Sequence, residues 1–178
     1  QGTKNMSKFE ISEKLESAGA RLSFFNGQAR VGFSGKFLSE DTNMVVGLLA
    51  DQLQNPLFAE EELEKAKKRQ IAGYKRSKES TRGNAMNNML QAFYGSDHQN
   101  SPTNPDLAIE EIKKLTSENL KAYHGENYGL GSMVLVVVGD VDHAKMENLI
   151  KESFKGWKQS PLKNKEEKSL GTKASSKV

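Results

Sequence analysis

The spacing of apolar positions changes several times along the chain, and each change marks an element. Ser7-Lys8-Phe9-Glu10 fits a helix N-cap followed by its capping-box glutamate. Ile11, Leu15 and Ala18 then recur at helical spacing, and Gly19 stops the helix because it can adopt the left-handed turn that a Cβ resists. Next, "RLSFF-NG-QARVGF" alternates with period two around Asn26-Gly27, which predicts a hairpin with a two-residue turn. The implied register pairs Phe24 with Ala29, Leu22 with Val31 and Ala20 with Phe33 on an apolar face. The other, mostly polar face takes Phe25 with Gln28, Ser23 with Arg30 and Arg21 with Gly32, so pattern and register agree. The second strand continues on the same parity through Gly35 to Phe37.

Helical spacing returns over residues 41–54, with Val45, Leu48, Leu49 and Leu53 as the stripe and Asn55-Pro56 as the stop. A third helix starts near Ala59. Glu60, Glu61, Glu62 and Glu64 open it, and Lys65, Lys67, Lys68, Arg69, Lys75 and Arg76 follow, an order that suits the helix dipole. Its narrow stripe is Leu63, Ala66, Gln70, Ile71 and Tyr74. A fourth helix from Thr81 or Arg82 to Tyr94 is expected to turn Met86, Met89, Leu90 and Phe93 inward. Residues 95–106 are loop by composition. A short helix over 107–114, one capped by Thr116 and ending near Gly125, and a last one over 144–154 capped by Asp142 complete the helical set. The last buries Met146, Leu149, Ile150 and Phe154.

"SMVLVVV", residues 132–138, has no alternation and reads as a strand covered on both faces. The order helix, hairpin, several helices, strand, helix argues an α+β class rather than doubly wound α/β. Three strands make a thin sheet, so at least one more is expected before Gln1 or after Val178. After Trp157 the chain turns lysine- and serine-rich. The reading is therefore one domain over 1–157 and a flexible tail or linker over 158–178.

Composition narrows the functional classes. The 178 residues suffice for one sizeable core. Apolar residues make up 35% and charged ones 28%, as in a domain with large wet surfaces. The longest apolar run, Met133 to Val138, is far short of the eighteen or so residues of a membrane span. The opening Gln1-Gly2-Thr3 shows no signal-peptide pattern and suggests a piece of a longer protein. With no cysteine there is no disulfide, thiol nucleophile or thiolate metal site. A net charge of +3 is mild for a nucleic-acid binder, so no nucleic-acid partner is expected.

Candidate chemistry is sparse. His98, His124 and His143 are the only histidines, and no two stand three or four residues apart, so no pair shares a helical face. They read as scattered surface or capping residues. No Gly-x-Ser-x-Gly elbow marks a serine nucleophile. "GYKRSKESTRG" lacks phosphate-loop spacing and reads as a basic helix end. The glutamates at 60–64 read as a solvated, dipole-friendly first turn.

Four stretches together resemble the pitrilysin/insulinase family of zinc metallopeptidases: "GTKNMSKFEISEKLESAGARL", "LLADQLQNPLFAEEELEKAK", "AIEEIKKLTSENLKAYHGENYG" and "MVLVVVGDVD". In order, they span residues 2 to about 157. The resemblance implies half of a clam-shell metallopeptidase (metallohydrolase-like), with an antiparallel-rich sheet and helices packed on one face. Active halves of the family carry His-x-x-Glu-His on a helix, two histidines for zinc and a glutamate as base. That motif precedes the family's Gly-Thr, which corresponds to Gly2-Thr3. A third ligand, a glutamate, comes from the helix corresponding to the third one here, which starts near Ala59. Aligning Ile71 with that helix's apolar anchor puts the ligand position at about Lys65, where an ammonium would oppose a cation. Glu64 is one residue, hence about 100°, away around the helix.

The resemblance thus implies a non-catalytic half-domain with no catalytic or metal residue and no cofactor of its own. Zinc would sit in the parent's catalytic half. Its partners would be that half, on the same or a paired chain, and a peptide substrate. Ser23, Phe25 and Arg30 are the candidate peptide-chamber contacts, although active halves carry an Asn-Ala-type segment where this chain has Ser23-Phe24-Phe25. The arginine and tyrosine that non-catalytic halves of the family contribute lie beyond the last strand-helix unit. The alternatives are a structural or assembly subunit of the same fold and, more remotely, a basic nucleic-acid-binding module.

Overall fold

The computed structural model describes residues 2–27, 30–95, 98 and 100–159, the side chain of Ser132 excepted. The elements are α1 (Lys8–Ser17), β1 (Arg21–Asn26), β2 (Val31–Lys36), α2 (Thr42–Gln54), α3 (Glu60–Glu79), α4 (Thr81–Tyr94), α5 (Pro105–Lys114), α6 (Ser117–Asn127) and α7 (His143–Ser153). Short 3₁₀ turns lie at Ser39–Asp41 and Leu130–Ser132. The class is α+β, with one antiparallel two-stranded sheet among the described residues. Those residues fall into two compact units, 2–59 with 121–159 and 60–120.

In the first unit, α2 is the centre. Its Val45, Val46, Leu48, Leu49, Ala50 and Leu53 are all buried. Leu49, Ala50 and Leu53 pack with Phe154 at the end of α7, and Leu22, Phe33, Met133, Ile150 and Trp157 close around them. Burying a side chain such as Leu53 or Phe154 stabilises by about 1.5–3 kcal/mol. The expected caps form. Ser7 and Glu10 make the reciprocal box at the start of α1, with Ser7 N–H donating to Glu10 Oε2 over 2.7 Å. Gly19 closes that helix at φ +58°. Asp142 Oδ1 accepts the Lys145 N–H at 2.9 Å at the start of α7.

The residues before α1 strap onto the end of α2. Thr3 is buried and bridges to Pro56, and Lys4 N–H donates to Asn55 O at 2.9 Å. The Asp51 carboxylate accepts from the Thr3 hydroxyl, the Asn5 amide and, at 2.9 Å, the Asn55 amide. One acidic side chain thereby satisfies three polar partners.

The hairpin keeps its two faces but not its expected register. Phe24 lies opposite Phe33, Leu22 opposite Gly35 and Asn26 opposite Val31, and Gly27 N–H donates to Arg30 O at 2.8 Å. The turn therefore lies beyond Gly27 rather than at Asn26-Gly27, and Ser23 pairs with Ser34 rather than Arg30. Ala29 and Gln28, expected partners of Phe24 and Phe25, lie outside the described residues. The slip is even-numbered, so the paired residues 21–26 and 31–36 keep their predicted faces. It places the Phe24 and Phe33 rings 6.4 Å apart, a favourable aromatic pairing that the expected register would forgo.

Residues 133–138 form no strand among the described residues, which corrects the sequence expectation. Among the described residues no backbone hydrogen bond reaches 134–138. Val134, Val136 and Val138 are 83%, 76% and 92% exposed, whereas Met133 and Leu135 are half-buried. The run is thus covered on one side rather than two. Without a ladder partner, apolar residues alone do not define a strand.

The second unit packs α5 on α3 around Leu63, Ala108 and Ile109, with Lys78 Nζ 2.7 Å from Asp106 Oδ1. Asn104 caps α5 through the N–H groups of Asp106 and Leu107, and Pro105 opens it. Two stripe expectations fail here. Gln70 of α3 is exposed. Along α4, Met86, Met89 and Phe93 are exposed, and Gly83, Asn87, Leu90 and Tyr94 form the less exposed face instead. The first set lies one helical step from the second. The tail proposed from residue 158 lies outside the described residues from 160 onward.

Candidate functional site

The α3 first turn is where the family resemblance puts a third metal ligand. Glu60, Glu61 and Glu62 face the positive end of the helix dipole and stabilise its start. Lys65 Nζ bridges Glu61 at 2.7 Å and Glu62 at 3.2 Å. Those hydrogen bonds, Glu61 first, raise the Lys65 ammonium above its ordinary range. Glu64, one step round the helix, is paired with Lys67 at 2.7 Å. A divalent ion at position 65 would meet an ammonium already paired with the carboxylates beside it, and Glu64 would have to leave its lysine. This donor set does not fit the zinc that the fold family implies.

The histidines do not assemble a site either. His98 stacks on Tyr94 at 4.7 Å, and its Nδ1 accepts the Asn100 N–H at 3.1 Å. His143 stands 96% exposed, 3.9 Å from Glu147. His124 is different in kind. Its Nε2 donates to Leu53 O at 2.8 Å, its ring stacks on Tyr128 at 4.8 Å, and the Phe58 ring meets it edge-on at 5.6 Å. It thereby caps a carbonyl of the last turn of α2. Burial lowers the His124 imidazole below its ordinary value, against the opposing effect of that hydrogen bond, and burial raises the Tyr128 phenol. Among the described residues no three His, Asp or Glu side chains group as a metal site would require.

The three candidate contacts separate. Ser23 and Phe25 share the outer face of the hairpin, opposite Ser34 and Gly32. The Phe25 ring, 53% exposed, lies over Gly32, where a Cβ would collide with it. Glycine at 32 is thus what lets the ring lie flat on the strand. Arg30 is exposed in the connecting loop, not opposite Ser23. The structure brings Ser23 and Phe25 together and leaves Arg30 at the hairpin tip.

Sequence reasoning missed two polar assemblies, around Asp51 and around His124. The first had a signal in the Asp51-x-x-x-Asn55 spacing on α2. The second had none, because 71 residues separate His124 from Leu53. Phe58, which completes the His124 cluster, holds a positive φ of 50° that its sequence context did not announce.

Two family models match the chain. That for "Insulinase (Peptidase family M16)" covers residues 1–106, and that for "Peptidase M16 inactive domain" covers 114–177. An uncharacterized zinc protease of Rickettsia felis is 26% identical over 92% of this chain and 39% of its own length. Mitochondrial cytochrome b-c1 complex subunit 1 of Bos taurus is 28% identical over 88% of this chain and 32% of its own. Among solved structures, the peptidase M16 inactive domain from Pseudomonas fluorescens superposes with a TM-score of 0.82 at 20% identity, over 96% of this chain and 41% of that one. The chain spans about two fifths or less of the relatives it matches. With residues 1–106 under the insulinase model and 114–177 under that for the inactive domain, the chain belongs to the insulinase family, peptidase family M16, as a half-domain similar to its inactive ones.

Proposed function

We propose that this chain is a non-catalytic half-domain that helps form a peptide-binding chamber. Hydrolysis of the peptide bond is then carried out by a zinc-bearing half of the parent, on the same or a paired chain. The observation that supports this reading most is Lys65, bridged to Glu61 and Glu62 at the aligned position of the third zinc ligand. A half that cannot hold the ion can still close the chamber and position substrate. On this reading the outer hairpin face with Ser23 and Phe25, together with Arg30 at its tip, touches the peptide.

The test uses the parent protein and an unfolded peptide. Phe25→Ala and Arg30→Ala should raise KM several-fold with kcat little changed, because they remove binding shared by ground and transition states. A collapse of kcat, or loss of zinc from the parent, would contradict the assignment.

A second reading rests on the likeness to cytochrome b-c1 complex subunit 1: a structural or assembly subunit of the same fold. The parent's other half decides between them. A partner half lacking His-x-x-Glu-His would favour the scaffold.

A further inference from the structure

The cations of α3 divide by the side of the helix on which they stand. Lys67 and Lys78 lie toward α5. Lys67 Nζ meets Glu64 at 2.7 Å and the Lys113 carbonyl at 3.5 Å, and Lys78 Nζ meets Asp106 at 2.7 Å. Lys65 is held by Glu61 and Glu62. Lys68, Arg69, Lys75 and Arg76 are exposed, and among the described residues their side chains make neither an ion pair nor a hydrogen bond. At about 100° per residue these four fall within an arc of about 120°, which also holds Lys65. A pair of adjacent cations thus recurs seven residues, about 10 Å, further along the helix.

The helix dipole accounts for Arg76, in the last turn, but its influence does not extend to Lys68 and Arg69 in the middle of the helix. A helix face that meets only water is stabilised by interleaving both signs of charge at i,i+3 or i,i+4. α5 does so, with Lys113 on Glu110 and Lys114 on Glu111 at 2.8 Å each. Within the cationic arc of α3, carboxylates stand only at the two ends, at Glu61 and Glu79. An anion laid between them gains four cationic contacts and displaces no existing partner.

We propose that this side of α3 binds a short acidic stretch of the parent's peptide substrate, its carboxylates set against Lys68, Arg69, Lys75 and Arg76. The assignment rests on the chamber role proposed above, under which position 65, aligned with a catalytic half's zinc ligand, turns toward the chamber together with the four cations on its side. From 68 to 76 the strip measures about 12 Å, the length of about four extended residues. Glu61 and Glu79 bound it and repel a longer polyanion or a flat anionic surface, and the net charge of the whole chain is only +3. The complementarity therefore favours a brief run of carboxylates over a nucleic acid or a layer of lipid headgroups.

Fluorescence anisotropy on the 178-residue chain tests it, with a labelled, capped peptide of four glutamates flanked by glycine and serine as the probe. The probe should bind at least about tenfold more tightly than the same peptide with glutamine in place of glutamate, and added salt should erode that preference. Lys68→Gln with Arg69→Gln, and Lys75→Gln with Arg76→Gln, should each weaken binding about fivefold. Lys113→Gln with Lys114→Gln removes the same charge from α5 and should weaken it less than about twofold. An equal loss in that control, no preference over the glutamine peptide, or tighter binding to an oligothymidylate or to phosphatidylserine vesicles would overturn the proposal. In the parent, the two α3 double variants should raise KM for the glutamate peptide about fivefold and leave KM for the glutamine peptide within about twofold. If they change neither while Phe25→Ala still raises both, the acidic strip is overturned and the chamber reading stands. If Phe25→Ala and Arg30→Ala leave KM unchanged as well, the chamber reading itself falls.

Discussion

His124 Nε2 donates a 2.8 Å hydrogen bond to the carbonyl oxygen of Leu53, so α6 caps the last turn of α2 from 71 residues away. Tyr128 and Phe58 enclose the ring and remove water from it. A carbonyl at a helix C-terminus has no partner within the helix, and this bond supplies one.

The first prediction concerns pH. Burial depresses the His124 imidazole in the folded chain, so the unfolded chain takes up the proton first as the solution is acidified. This contribution to stability is therefore present above about pH 6.5, the ordinary imidazole value, and is lost as pH falls through the depressed folded value. Lys158, whose charge also lowers the imidazole, reinforces the trend. Urea unfolding at a series of pH values should show this acid-side loss in the native chain and a smaller one in His124→Gln. At neutral pH His124→Ala should cost about 1–2 kcal/mol, one hydrogen bond plus ring stacking.

The second concerns Asp51. Asp51→Ala leaves the buried Thr3 hydroxyl and the Asn5 and Asn55 amides without their shared acceptor, at a cost of about 1–3 kcal/mol. Denaturant midpoints should fall accordingly, and the residues before α1 should lose protection from exchange before α2 does.

The third concerns the outward stripe of α4. Met86→Gln, Met89→Gln and Phe93→Gln should each change stability by less than about 0.5 kcal/mol, because these side chains are already wet. Leu90→Ala, on the more covered face, should cost more. Comparable large losses from the first three would show that the stripe is packed in solution.

These contrasts show what sequence could and could not convey. Local chemistry was legible. The Ser7–Glu10 box, the Asp142 cap, the Gly19 turn and the α2 stripe depend on residues within a turn or two of each other and fall where expected. The α+β class and the family were legible too, the latter from four motifs in order. Expectations failed where their outcome depends on distant partners. The hairpin register sets Phe24 opposite Phe33 and puts the turn beyond Asn26-Gly27. The α4 stripe is apolar but has no neighbour covering it among the described residues. Residues 134–138 have strand composition but no backbone hydrogen-bond partner among the described residues. The Ser23–Arg30 pairing failed with the register, so only Ser23 and Phe25 of the candidate contacts share a surface.

The central claim is that α3 presents a lysine where a catalytic half would present a zinc-binding carboxylate. Equilibrium dialysis of the purified 178-residue chain against zinc, with bound metal measured by atomic emission, tests it most directly. The account predicts that the chain retains far less than one zinc per molecule and that Glu64→Gln changes nothing. One tightly held zinc per chain, lost in Glu64→Gln, would contradict it.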